Sequence, residues 1–539
     1  MRLREETLRT LRIGFALLMV ATATPSAQVV TDGLPVFTDR VDVNLVTLRV
    51  VVTTLLDHPI TDLTRDDFEI WEDGERREIT HFERVSDGRI DEFGEEDFRI
   101  AGDISSPSPD LQRLVVLAFD SSSVVDLPFQ RRATAVAQEF VTAHSGSGVW
   151  WSVALVGGDP RCLVPPTTDT KTVVEGLSSL RKLFGGVLAH RTELPVSFRA
   201  AREAPLMAGP WCSLSMAEQA LGMPETTRAL TNLFKAYGAI PGAKACVFFH
   251  PGSSDAPLAG CGDLNSRDMM RYVDTTDLWQ DVARQASTAG FKIYGMTSRG
   301  LQIPMDNADS RRSSTLAKRS ILSFSTSAAA AILAVRTGGD TFASNDLGMV
   351  IDAAMRETGT YFSLAFIAPH AHDGEQHDID VKVHGRGPLK VRHKKSHLDF
   401  DPRTILVEQL ATPSEFPKHG GALPVELDLH TEIVGDDRME VKITAATQLS
   451  SLTLIPLNSE LTGGIDVFLA VHDNSGQLRG ITGDIERISV PGKVTGSQRL
   501  HLERRILVPA TENTVTIAIY DPISGLSGMQ SAVAKPGEQ

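Results

Sequence analysis

Arg113-Leu-Val-Val-Leu-Ala-Phe-Asp-Ser-Ser-Ser123 is the stretch whose reading decides the fold. Leu114–Phe119 is an uninterrupted apolar run, the mark of a strand covered on both faces in a parallel α/β sheet. The run ends on Asp120 and three hydroxyls, Ser121, Ser122 and Ser123. Open α/β sheets receive ligands at the carboxyl ends of their strands. Asp120 and Ser122 therefore form a candidate metal site, offering the hard oxygens that Mg²⁺ or Ca²⁺ prefers. Val124, at the next alternate position, has no oxygen to give.

On either side, the chain alternates strands and helices as a parallel sheet requires. Val149–Val156, Cys246–Phe249, Phe291–Met296 and Tyr361–Ile367 read as strands, the last as the final central one. Ala133, Val136, Ala137 and Phe140 recur at helical spacing behind Pro128, which suits a first helical turn. Met216–Tyr237 and Leu278–Ala289 are amphipathic, and Asn345-Asp346 caps a further helix. Residues 378–396 alternate as a β-hairpin, and 186–215 and 299–320 read as surface insertions.

The flanks are β-rich. Residues 36–86 carry strand patterns and an Asp73-Gly74 hairpin signal, and 87–110 is an acidic linker. Residues 400–535 hold regularly spaced alternating segments separated by turns, which suggests a β-sandwich. The expected architecture is multidomain α/β plus β. A central domain over 111–398, Rossmann-type with a mostly parallel sheet and helices on both faces, stands between a small N-terminal β domain and a C-terminal β-sandwich.

Arg2, Arg4, Arg9 and Arg12 precede an apolar segment from Ile13 to about Ala23, followed by small residues. This is the layout of a signal peptide over 1–27, and implies export to the periplasm or the medium. No later segment has the length of a membrane span. The net charge of −15 becomes −17 once residues 1–27, with four Arg and two Glu, are removed. An acidic chain without a long basic tract excludes nucleic acid as a natural partner. Cys246 lies inside a strand run, whereas Cys162, Cys212 and Cys261 fall in expected loops, where one disulfide can form.

Taken in order, several short pieces carry a family resemblance. They are Asp62-Leu-Thr-Arg-Asp-Asp-Phe68 with Glu72-Asp-Gly74, Phe119-Asp-Ser-Ser-Ser123, Pro241-Gly-Ala-Lys244, Ile293-Tyr-Gly295, Thr337-Gly-Gly339 and Asn345-Asp-Leu347 through Thr360-Tyr-Phe362. From about 38 to 400 the chain resembles the exported proteins with von Willebrand factor type A (VWA)-related domains known mainly from acidobacteria. The resemblance implies a VWA-like fold used for binding proteins. In VWA domains that hold metal, Asp-x-Ser-x-Ser is joined by a Thr from a later loop and an Asp after the central strand. Here Val124 and His250-Pro251 depart from that pattern, unless Asp255 folds back, and no Thr within 167–231 takes the other role on sequence grounds. A degenerate site that binds Mg²⁺ or Ca²⁺ weakly is the expectation.

Six of the fifteen histidines lie between His370 and His397. Strand parity puts His377 and His384 on opposite faces, so a solvated hairpin face is expected there rather than a metal site. No Gly-x-Ser-x-Gly, His-Glu-x-x-His or phosphate-loop pattern occurs. The expected function is a non-enzymatic, exported protein-binding or adhesion-type module. It would use the loop rim near Asp120, with Ser121, Ser123, His250 and Asp255 toward a protein partner. One alternative has a vestigial metal site and binding through the β domains; another is a hydrolase with nonlocal catalytic residues.

Overall fold

The computed structural model describes residues 44–86, 89–91, 113–121, 127–157, 159–190, 214–250, 276–297, 328–342, 346–370, 372–457 except 386 and 436, and 460–537 except 492, 493 and 495. The expected signal peptide, almost all of the linker, and most of both expected insertions lie outside them. Among the described residues no helix is long and apolar enough to cross a membrane.

A six-stranded sheet forms the middle of the molecule. Its spatial order is Asp340–Phe342, Phe291–Thr297, Ala243–His250, Arg113–Asp120, Val149–Val156 and Arg161–Thr167. Numbered along the chain, that is the doubly wound order 3-2-1-4-5-6. Every neighbouring pair is parallel except the last, where Arg161–Thr167 runs antiparallel.

The run Leu114–Phe119 explains why both faces are covered. Successive side chains point to opposite faces. Val115, Leu117 and Phe119 enter one core with helices Leu127–Ala143, Thr170–His190 and Gly348–Gly359. Leu114, Val116 and Ala118 enter the other, with Leu214–Tyr237, Thr276–Thr288 and Ala328–Thr337. Trp279, Val282, Ala283 and Ala286 make the buried stripe of Thr276–Thr288 at helical spacing. The expected cap before Gly348–Gly359 is present, since Gly348 N–H donates to Asp346 Oδ1 at 2.9 Å.

Tyr361–Ile367, expected to be the last central strand, belongs elsewhere. It pairs antiparallel with Leu45–Thr54 and with His81–Ser86. Those strands, with Leu389–Arg392 and Arg89–Asp91, form a five-stranded sheet. A second sheet, Ser396–Leu398, Gln376–Val383, Phe68–Glu72 and Glu75–Arg77, faces it across a core of Leu48, Val50, Ile70, Leu364, Phe366 and Ile379, among others. Both sheets thus mix strands from before and after the doubly wound layer. A largely apolar seven-residue segment, interrupted only by Ser363, specifies burial but not which sheet receives it. Arg392 ties the two parts together, donating to Asp340 and to Glu357.

Helix Pro402–Ala411 leads into the C-terminal β region. Its Pro follows Asp401, whose carboxylate accepts from Arg403 N–H at 2.8 Å. A three-stranded sheet of Glu426–Ile433, Arg438–Gln448 and Arg499–Pro509 packs on a larger antiparallel sheet centred on Glu460–Asp473 and Asn513–Tyr520. The shared core includes Val441, Ile443, Val467, Leu469, Val515 and Ile517. Two antiparallel sheets over one core match the expected sandwich.

Candidate functional site

The order of the doubly wound sheet reverses between Arg113–Asp120 and Ala243–His250, the adjacent strands on which the two halves meet. This is the switch point at which open sheets place ligands. Register pairs Phe119 with Phe249, so Asp120 and His250 follow as neighbours at the strand ends. Both continue the parity of Ala118 and Phe248 and lean toward the same face.

His250 Nδ1–H donates to Asp120 Oδ2 at 2.5 Å. The hydroxyl of Thr226, on helix Leu214–Tyr237, donates to Asp120 Oδ1 at 3.3 Å. Asp120 is fully buried and His250 is 4% exposed. The imidazole lies over Phe248 with ring centres 5.1 Å apart, and meets Trp279 edge-on at 5.9 Å. Among the described residues its buried Nε2 has no hydrogen-bond partner. Gln130 Nε2 donates to the Asp120 carbonyl at 3.3 Å, anchoring the following helix to the strand end.

Of the expected site residues, Asp120 and His250 are brought together. Ser121 is adjacent, but its hydroxyl donates inward to the Val156 and Gly157 carbonyls at 3.1 Å each. Ser121 and His250, expected to face a partner, are thus both buried. Ser122, Ser123, Val124, Pro251 and Asp255 lie outside the described residues. Thr226 was not anticipated, although a signal existed. It stands four and seven residues before Leu230 and Leu233, on the helix stripe that enters the core.

The donors test the expected metal. Mg²⁺ demands near-octahedral oxygen coordination and Ca²⁺ takes six to eight oxygens. The described donors are one carboxylate already hydrogen-bonded at both oxygens, one hydroxyl, and a neutral or cationic imidazole where the pattern has an acid. Among the described residues alone that set falls short of a hard cation's shell; Ser122 and Asp255 lie outside them. His250 does part of a cation's work, because its N–H donates to a buried carboxylate that the Thr226 hydroxyl also satisfies.

Elsewhere the histidine expectation is overturned. His370, His372, His377 and His397 converge around Asp399, while His384 reaches Glu69 and His393 is buried apart from them. Strand parity held for His377 and His384, which lie on opposite faces, but could not place His370 and His372, which precede the strand in a loop that folds back over it. Cys162 stands in an edge strand rather than a loop and is unpaired, its Sγ 3.3 Å from the Tyr237 hydroxyl. Burial pushes that thiol up to about 11. Cys246 is also free, and buried as expected; Cys212 and Cys261 lie outside the described residues.

Comparison with known proteins finds no matching family model and no matching curated protein. Among solved structures, the chain is similar to an aerotolerance-related membrane protein from Bacteroides fragilis at 13% identity and TM-score 0.23, over 46% of this chain and 98% of that one. It is similar to BatB from Bacteroides thetaiotaomicron at 11% and 0.22, over 45% and 96%. A third, proximal thread matrix protein 1 from the mussel byssus, gives 11% and 0.24, over 46% and 48%. The acidobacterial part of the resemblance gains nothing from these neighbours, and the description of the fold rests on strand order and register.

Proposed function

We propose that this chain is an exported binding protein whose VWA-like layer presents the switch-point end of its sheet to a protein partner, with no resident metal at Asp120. One observation carries this reading. The position where an open sheet receives its ligand is held by an interlocked Asp120–His250–Thr226 cluster in place of an oxygen cage. The cluster is buried, so it acts as a positioning device: it fixes the ends of two central strands and a helix at the switch point. The β modules on either side are the second place for a partner to engage.

The test is capture of a partner from the exported fraction by the immobilised full-length mature chain. The reading expects capture to survive chelation and to be lost in Asp120→Asn, with the variant's melting temperature recorded as a control for folding. Equal capture by a folded Asp120→Asn chain, combined with loss on deleting 419–537, would transfer binding to the C-terminal sandwich. Release by chelator, with capture restored by Mg²⁺ or Ca²⁺ but not by Zn²⁺, would overturn the metal-free account of Asp120.

A further inference from the structure

A second cluster, sharing no residue with the Asp120 site, lies at one end of the sandwich built from strands before and after the doubly wound layer. His370 and Asp373 lie in the loop after Tyr361–Ile367, His377 on strand Gln376–Val383, and Asp399 just beyond Ser396–Leu398. One ligand atom from each of these four residues can be chosen so that all lie within 4.8 Å of one another. His370 Nδ1 is 2.8 Å from Asp399 Oδ2 and 3.9 Å from Asp373 Oδ2, and His377 Nε2 is 3.2 Å from Asp373 Oδ2. Tetrahedral ligands at zinc-like bond lengths are separated by about 3.3 Å, so only small closing movements are needed.

We propose that His370, Asp373, His377 and Asp399 form a binding site for one divalent transition ion of the Zn²⁺ type.

The surrounding residues carry the argument beyond the four ligands. A metal-binding histidine usually donates its other ring N–H to a carboxylate or carbonyl, which orients the ring. His377 Nδ1 donates to Asp73 Oδ2 at 2.8 Å, and His370 Nε2 to Glu72 Oε1 at 3.3 Å. Glu72 and Asp73 are consecutive at the Asp73-Gly74 hairpin, where Asp73 has φ 49° and Gly74 φ 80°. Arg77 pairs with the buried Glu72 at 2.9 Å and holds it in place. Asp399 is oriented likewise, its Oδ1 accepting from Asn44 Nδ2 at 2.8 Å and His372 Nδ1 at 3.1 Å. The loop is closed by Gly374 N–H to the Asp399 carbonyl and Asp399 N–H to the Glu375 carbonyl.

Charge balance points the same way. His370 and His377 each have carboxylates at both ring nitrogens, and their rings stack with centres 3.8 Å apart. Donating from all four nitrogens requires two stacked imidazolium cations. One divalent ion among the inward nitrogens and Asp373 and Asp399 supplies the same two charges with both rings neutral. Two imidazoles with two carboxylates suit Zn²⁺ better than Mg²⁺ or Ca²⁺.

Calorimetric titration of Zn²⁺ into the full mature chain, prepared without a polyhistidine tag and stripped with chelator, tests the site. One Zn²⁺ per chain is expected, with Mg²⁺ giving no heat. Asp373→Asn and His377→Gln should each weaken Zn²⁺ about 100-fold or more, and Asp73→Asn, which loses only the partner that orients His377, about 10- to 100-fold. Co²⁺ in the wild-type chain should give the strong visible bands of a tetrahedral centre, absent in Asp373→Asn. The Asp373 side chain is 35% exposed, so that variant decides the matter even where His377→Gln does not fold. The absence of stoichiometric Zn²⁺ binding, or wild-type affinity in Asp373→Asn, would overturn the assignment.

Discussion

Replacing His250 with aspartate tests the idea that the imidazole fills a cation's place. In the wild-type chain an N–H 2.5 Å from Asp120 Oδ2 satisfies a fully buried carboxylate. His250→Asp puts a second carboxylate about 4 Å from the first. At an effective dielectric constant of about 20, two like charges at that distance repel by about 4 kcal/mol. In a layer of 150–250 residues each kcal/mol moves the melting temperature by about 2–4 °C, so a fall of about 8–16 °C is expected. The two carboxylates and Thr226 would then make an oxygen-donor set that Mg²⁺ can use. Mg²⁺ at about one hundred times its dissociation constant returns about 2.7 kcal/mol. The assay is thermal unfolding of both chains in chelator and in a Mg²⁺ series; Mg²⁺ is chosen because it is a poor ion for the histidine cluster. The reasoning is refuted by a His250→Asp chain that melts with the wild type in chelator, or by a destabilised one that Mg²⁺ does not raise.

Three further outcomes follow from other parts of the fold. His393 is 1% exposed, accepts the Val381 N–H at Nε2 (3.2 Å) and donates from Nδ1 to the Lys394 carbonyl (2.7 Å), so its ring is held neutral. Burial, with Lys395 adding to it, pulls its pKa down to about 4; the folded chain then binds fewer protons than the unfolded one between that value and about 6.5, and stability falls with pH across the window by about 3 kcal/mol. Melting temperatures from pH 7 to 4 should drop less steeply in His393→Gln. Arg392→Met removes the cation from Glu357, which is 4% exposed and otherwise bonded to the Tyr294 hydroxyl, and should cost about 3–5 kcal/mol in urea unfolding; a loss below about 1 kcal/mol would mean that the bond between sandwich and doubly wound layer is dispensable. A Cβ at Gly339 would lie 1.9 Å from the Ile293 carbonyl oxygen, so Gly339→Ala should destabilise by about 3 kcal/mol, whereas Gly387→Ala, which meets nothing, should leave the melting temperature unchanged.

The doubly wound layer was legible because its signal is local. Leu114–Phe119 has no polar face, and only a strand covered on both sides accepts such a run. Asp73-Gly74 likewise announced its turn, since both residues take positive φ there. Asp120 at a strand end followed from the same run. Even the side shared by Asp120 and His250 is a matter of parity once the two strands are known to be neighbours.

Neighbourhood itself is what the sequence by itself did not determine. Periodicity specifies which way a side chain points and how apolar its surroundings must be, and burial is non-directional, so many partners satisfy it equally. Tyr361–Ile367 reads as a central strand and is largely buried, yet it pairs with strands about 300 positions earlier. Thr226 reaches Asp120 across 106 positions, and His377 meets Asp73 across 304. In each case, local chemistry supplied a polar group able to bond and the chain's path chose its partner. The sequence thus determined a parallel layer with an acid at its mouth, whereas tertiary packing alone put an imidazole on that acid and gathered four histidines around Asp399.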